Sequence, residues 1–344
     1  MNGNRTGKGP GRMPPASRGG GPPAGVARLA GGSPGAARTG ASRSVIRSRL
    51  KRDRHLYLML LPVLAFYLAF KYAPMAGEII AFKDYRLGDG ILGSKWVGFD
   101  HFQSLFASID FWRVLRNTLL LNLYSLVFGF PVPIILALML NEVRKEGFKR
   151  TVQNLLYLPH FISWVVLGGI FVAMLSPSTG IVNWLLSNVF GIEPIYFMAD
   201  SSWWPVAYTV SGIWRDAGWG TILYLAAMGA IDPQLYEAAK IDGANKLRQI
   251  WHITLPGIRS TIAILLVLRM GQMMDVGLEQ TLVLQNPSVL DVADVISTYV
   301  YRVGLLNMNY SYTTALGLFQ SVIGLILVLG VNRLTRLFGE RGLW

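Results

Sequence analysis

Apolar residues gather into six windows of about 20 residues or more, separated by polar loops. They run roughly over Leu56–Ala76, Val114–Leu140, Val152–Ser176, Trp203–Ala227, Ser260–Leu284 and Thr313–Leu337. A hydrocarbon core of about 30 Å takes about 20 such residues as a helix. The pattern therefore predicts an all-α, polytopic membrane protein with six transmembrane helices. Pro62, Pro131, Pro133 and Pro159 fall inside the windows; neighbouring helices can satisfy the carbonyls that proline frees. No repeat of solenoid period is visible, so one membrane domain is expected.

The loop between the fourth and fifth windows has its own pattern. Asp232 is suited to cap a helix and Pro233 to open it. Leu235, Tyr236, Ala239, Gly243, Leu247, Ile250 and Trp251 recur at helical steps and form an apolar stripe, with Pro256 expected to end the segment. Such a helix could lie on the membrane surface, where basic residues would oppose bulky apolar ones. It could also enter a groove on another protein. The mixed charges and the small residues Ala238, Ala239, Gly243 and Ala244 favour docking.

Composition agrees with a membrane protein: 52% of residues are strongly apolar, 15% are charged, and mean hydropathy is +0.40. The absence of cysteine excludes a disulfide scaffold and a cysteine-ligated metal site. A net charge of +13 invites a nucleic-acid reading, yet residues 1–55 hold 12 Lys and Arg against Asp53 alone. That charge lies in a Gly/Pro-rich segment, read as a disordered tail over residues 1–50, and not on a folded basic surface. No nucleic-acid partner is expected. No short apolar run with a cleavage site follows these charges, so the tail is not read as a signal peptide. Even without the tail, alternate loops divide their Lys and Arg 11 to 5. Both termini are then cytoplasmic by the positive-inside rule.

The spacing within the loop carries a resemblance. Glu237-Ala238-Ala239, then Gly243, Ile253 and Leu255-Pro256, resembles the EAA loop of ABC importer permeases. These seven positions would coincide by chance on the order of 10⁻⁸ per starting point at average residue frequencies. The longer string from Tyr236 through Asp242 to Ala244 is similar to carbohydrate-uptake permeases. Pro159–Trp164, Ser211–Trp214 and Thr298–Gly304 are similar to the branch importing oligosaccharides cut from polysaccharides. The resemblance spans residues 56–344. It implies a type I ABC importer permease in the bacterial inner membrane, in contact with lipid, with a permease domain over 51–344 and a coupling loop over 231–258. It also implies a second six-span permease, two cytoplasmic ATPases carrying ATP and Mg, and an external sugar-binding protein. Glu237–Gly243 would form the coupling helix, its glutamate near basic groups of the ATPase and its glycine at a sharp bend. Unlike the larger maltose-type subunit, the chain has six expected spans and no large external insertion.

The chain lacks a GxxxxGK[ST] phosphate loop, and His55, His101, His160 and His252 are scattered without an HExxH motif. Neither a metal nor a cofactor is therefore expected in this chain, and it is not read as an enzyme. A membrane enzyme acting on lipid-linked sugars would have only Asp275 and Glu279 as paired acids. An ion-coupled secondary transporter is the other alternative, but it would not need a docking helix.

Charges inside the windows mark a pathway. Arg, Lys or Asp at a bilayer centre costs about 2.5–3.5 kcal/mol on insertion scales, so Arg215, Asp216 and Arg269 must face a cavity or partners. Arg269, Gln272, Asp275 and Glu279 step along one face if the fifth window is a continuous helix. At about 1.5 Å per residue, Arg215 and Asp275 both lie roughly 22 Å from the cytoplasmic side. They are expected to pair, with Arg215 and adjacent Asp216 holding separate partners. Trp214 and Tyr224 are candidates to stack on sugar faces, with Trp219, Tyr310 and Tyr312 behind them. The two arginines also admit an acidic glycan.

Overall fold

The computed structural model describes residues 54–337, so the proposed tail over 1–50 lies outside the described residues. The first apolar stretch begins as α1, Arg54–Tyr67. It continues through a π turn at Leu68–Tyr72 to a 3-10 segment ending at Phe82. The segment from residue 66 onward forms a compact unit of its own. Among the described residues, four helical runs are long and apolar enough to cross a membrane, or five if one bent pair is a single span.

In chain order, α2 (Asp100–Ala107) leads into α3 (Ile109–Tyr124), and a π turn at Ser125–Gly129 joins α3 to α4 (Pro131–Asn141). Pro131 and Pro133 thus sit in the first turn of α4, where a missing N–H costs little. The third window is α5 (Glu146–Tyr157) and α6 (Trp164–Leu175). It corrects the expectation of one straight helix over Val152–Ser176: the two halves meet at 103°. Pro159 opens a 3-10 turn, Ile162 is extended, and Ser163 caps α6 by accepting from the Val166 amide.

After α7 (Ile181–Phe190), α8 (Trp204–Gly229) runs unbroken for 26 residues. Its glycines and the Arg215–Asp216 pair dilute its hydropathy, which keeps it outside the strongly apolar set. Gly218 lets α5 pack closely here, since a Cβ at that position would lie 1.9 Å from the Leu156 carbonyl oxygen. The loop helices α9 (Pro233–Ile241) and α10 (Lys246–Gln249) follow.

The fifth window is also not continuous. Pro256 does not end the preceding segment: α10, a π turn at Ile250–Thr254 and α11 (Leu255–Gly271) form one helical run. That run stops at Gly271, and the chain resumes as α12 (Leu278–Leu284) only after a non-helical stretch. Side chains from other elements satisfy the freed carbonyls, as a break at membrane depth requires. Asn122 donates to the oxygens of Met273 (2.9 Å) and Asp275 (3.3 Å), Gln320 to that of Met274 (2.6 Å), and Ser297 to that of Val276 (2.8 Å).

The last elements are α13 (Ile296–Val300) and α14 (Tyr310–Leu337). Among the described residues the helical fold carries one small hairpin, β1 (Lys83–Asp84) against β2 (Lys95–Trp96), with Lys83 opposite Trp96. Ser311 ties it to α14 by accepting from the Tyr85 amide and donating to the Lys83 carbonyl. Two apolar clusters position the middle of the molecule. Trp204 and Tyr208 of α8 pack with Val276, Leu284 and Val289. Lower down, Tyr224 and Met228 join Ala137 of α4 and Ile258 of α11.

Candidate functional site

A cavity of about 440 Å³ opens between the π turn after α3, α4, the start of α6, α8 and the broken stretch after α11. Arg215, Arg269, Gln272 and Asp275 all line it. They arrive there from one helix, the end of another and a turn, and not along a single helical face. Glu279 is exposed and stands outside the lining, because the chain has already turned into α12. Trp214 and Tyr224 are also set apart. Trp214 meets the edge of Phe171 at 5.6 Å, and Tyr224, 3% exposed, is packed into the lower apolar cluster.

The expected Arg215–Asp275 pair is not formed. Arg215 instead places Nη1 3.5 Å from Oδ1 of its neighbour Asp216 and donates from Nη2 to the His160 carbonyl at 3.4 Å. Adjacent helical residues point apart at Cβ, but a long guanidinium can bend back over its neighbour. Its charge also lies over the Trp164 ring at 4.8 Å. Arg269 donates to Ser125 Oγ at 2.7 Å.

Several wall residues had no counterpart among the sequence candidates. Gln280, 8% exposed, donates to the Tyr208 carbonyl at 2.8 Å and to Ser211 Oγ at 3.3 Å. Trp164 stands immediately past the bend of the third window; His160, just before the bend, is not in the lining and touches it through Asp216. Polar residues isolated within apolar windows (Asn122, Ser125, Gln280) were the available signal for this wall.

The loop over 231–258 is a second candidate site. Asp232 caps α9 through the Gln234 amide at 2.9 Å, as its position implied. The end of α9 is a Schellman turn: the Ala244 amide donates to Ala239 O at 2.8 Å and the Gly243 amide to Lys240 O at 3.1 Å. Gly243 takes φ +75°, the left-handed conformation that the turn demands. Asn245 caps α10. The bend divides the expected apolar stripe between two short helices and leaves Leu235, Leu247 and Trp251 exposed. Glu237, Ala238 and Asp242 are exposed too, while Ala239, Ala244, Ile253 and Leu255 are half-buried and Pro256 is exposed. The loop is anchored to the body by an ion pair between Lys246 and Glu142, and is closed on itself by Tyr236 OH at 3.0 Å from Thr254 Oγ1.

Residues 129–341, which include the cavity wall after the π turn and the whole loop, match the binding-protein-dependent transport system inner membrane component family. The chain belongs to that family. This permease is 49% identical over 296 residues to the polygalacturonan/rhamnogalacturonan transport system permease protein YteP of Bacillus subtilis (strain 168), covering 86% of this chain and 92% of the relative. Protein LplB of the same organism is 48% identical over 295 residues, with the same shares. Among solved structures, a chain of a bacterial ABC transporter importing the acidic polysaccharide alginate superposes with TM-score 0.78 at 47% identity. That match covers 85% of this chain and 98% of the other. The permease is accordingly a multi-pass inner-membrane subunit of an ABC importer. The ion-coupled alternative has no support among these relatives.

Proposed function

We propose that this permease, with a second permease, two ATPases and an external binding protein, imports oligosaccharides through the cavity between α4, α8 and the end of α11. The observation that carries the reading is the EAA loop folded as two short helices about Gly243, with Glu237 exposed at its surface. Glu237–Gly243 is the coupling helix, and its seat is a cleft of the ATPase. ATP closes the ATPase dimer, the loop carries that movement into α11, with which α10 is continuous, and the cavity turns from inward- to outward-facing. ATP and Mg belong to the partner ATPases.

The six apolar windows are six spans, the third bent and the fifth broken, with both termini cytoplasmic as the Lys/Arg distribution directs. A relative's structure in complex with an alginate pentasaccharide-bound periplasmic protein supports the binding-protein partner. In the cavity, Gln272 and Asp275 are placed to hold sugar hydroxyls.

Mild-detergent purification of the chain from its native membranes, followed by mass identification of what accompanies it, tests the assembly. Recovery of a Walker-motif ATPase and a second permease is the expected result. Recovery of the chain alone, from membranes that contain the ATPase, would overturn the reading.

A further inference from the structure

Two guanidiniums face the cavity, and neither closes on a carboxylate at short range. Arg269 donates to a hydroxyl, Ser125 Oγ, and no ion pair to it is found among the described residues. Arg215 has a carbonyl at 3.4 Å, a carboxylate oxygen at 3.5 Å, and a buried Nε with no hydrogen-bond partner. The cause is visible one residue away. Asp216 Oδ1 lies 2.9 Å from His160 Nδ1, so the nearest carboxylate is held by the imidazole. The His160 ring is itself stacked flat on Trp219, 4.8 Å between centroids and 5° between planes, which keeps it from swinging aside. Trp164 fixes the guanidinium from its face.

Two arginines nearer the outer end do meet carboxylates closely. Arg302 meets Asp294 at 2.7 Å and Arg113 meets Asp110 at 2.8 Å, both outside the apolar windows. Arg215 and Arg269 lie at membrane depth, where a missing partner is most costly, and neither is met by a carboxylate closer than 3.5 Å.

We propose that Arg215 determines specificity by taking a carboxylate of the substrate, so that the imported oligosaccharides carry uronate groups. His160 is the positioning residue that withholds Asp216 from it. The proposal rests on the oligosaccharide-import reading of this cavity. A guanidinium presents five donors in a planar fork, and a carboxylate is its bidentate complement. The wall also holds Asp216 and Asp275, so selection comes from the open donors of Arg215 and not from net charge. Asp275 and Gln272 remain for hydroxyls, and Arg269 supplies a second positive point on the same wall.

The test is uptake by cells carrying the whole importer, given radiolabelled trisaccharides of galacturonate, mannuronate or guluronate and neutral trisaccharides of equal length. Wild type is expected to take up an acidic trisaccharide. Arg215→Gln, in a complex recovered intact by purification, is expected to lower that uptake about tenfold or more, with partial recovery in Arg215→Lys. His160→Ala is expected to lower it as well, because Asp216 then closes on Arg215. Adding Asp216→Asn to His160→Ala should restore uptake, a recovery that a merely structural role for His160 would not produce. Acid uptake unchanged in Arg215→Gln would overturn the proposal. Failure of Asp216→Asn to restore His160→Ala would overturn the part assigned to His160. Uptake of neutral trisaccharides alone would overturn the proposal and leave the importer reading standing. Uptake of none would remove the oligosaccharide reading and the proposal together.

Discussion

At the scale of single residues, the sharpest constraints come from backbone geometry. Gly243 sits at φ +75° with open space around its missing Cβ, so crowding does not forbid a side chain there. The left-handed conformation does, most severely for a β-branched residue. Gly243→Val is expected to give an assembled complex that hydrolyses ATP with poor coupling to uptake; a wild-type ratio of sugar moved to ATP split would contradict this. Gly218 is the opposite case, with ordinary φ but a carbonyl oxygen 1.9 Å from any added Cβ. Gly218→Ala must therefore push α5 away from α8, and the purified complex should melt lower by several degrees, measured by thermal unfolding in detergent. The EAA spacing made Gly243 legible from the sequence. Gly218 was not, because its neighbour Leu156 is brought to it only by the packing of two helices.

At the scale of elements, the loop helices and the outer cluster carry separate expectations. Glu237 is exposed at the surface of α9, with no hydrogen bond to it among the described residues, so Glu237→Lys is expected to leave the thermal midpoint near wild type. The same variant should reduce co-purification of the ATPase or its coupling to transport; full coupling would argue against ATPase docking at this surface. The Lys246–Glu142 pair that anchors the loop is half exposed, and removing it should cost no more than about 1 kcal/mol. At the other end of the molecule, the carboxylate of Asp294, 1% exposed, accepts from Arg302 at 2.7 Å and from Thr298 at 2.9 Å. The hydrogen bond to Asp294 holds the Arg302 guanidinium above its usual range. Asp294→Asn should destabilise the protein by about 3 kcal/mol, the low end for a broken buried pair because Arg302 is partly exposed. A thermal midpoint unchanged from wild type would refute that value. The outer cluster could not be read in advance, since Arg113 is far in the chain from Asp294 and Arg302 and reaches them only when α3 meets α13.

At the scale of the whole molecule, hydropathy and charge distribution were enough to establish a membrane-embedded, mostly helical chain. Both depend on composition within a window and on nothing distant. The EAA loop was legible for a similar reason: its cap, its Schellman turn and its glycine are local, and local hydrogen bonds need no tertiary partner. Continuity of the spans was not decided locally. The window over Ser260–Leu284 is apolar enough for one helix, yet the chain breaks after Gly271 because Asn122, Ser297 and Gln320 can satisfy the released carbonyls. Without those donors the break would leave unpaired backbone in a medium with no water. The polar stripe inferred from helical periodicity therefore became a set of groups around a cavity, retaining Arg269, Gln272 and Asp275 and losing Glu279. Likewise, equal depth suggested a pair between Arg215 and Asp275, but depth is only one coordinate. Rotation of each helix, the bend at His160 and the reach of each side chain set the rest. The sequence alone determined the solvent in which this chain folds, the class of machine to which it belongs and the loop that joins it to its motor. Tertiary structure alone decided which charges share the cavity and which arginines there lack a close carboxylate, because those depend on where separate helices place groups hundreds of atoms apart in the chain.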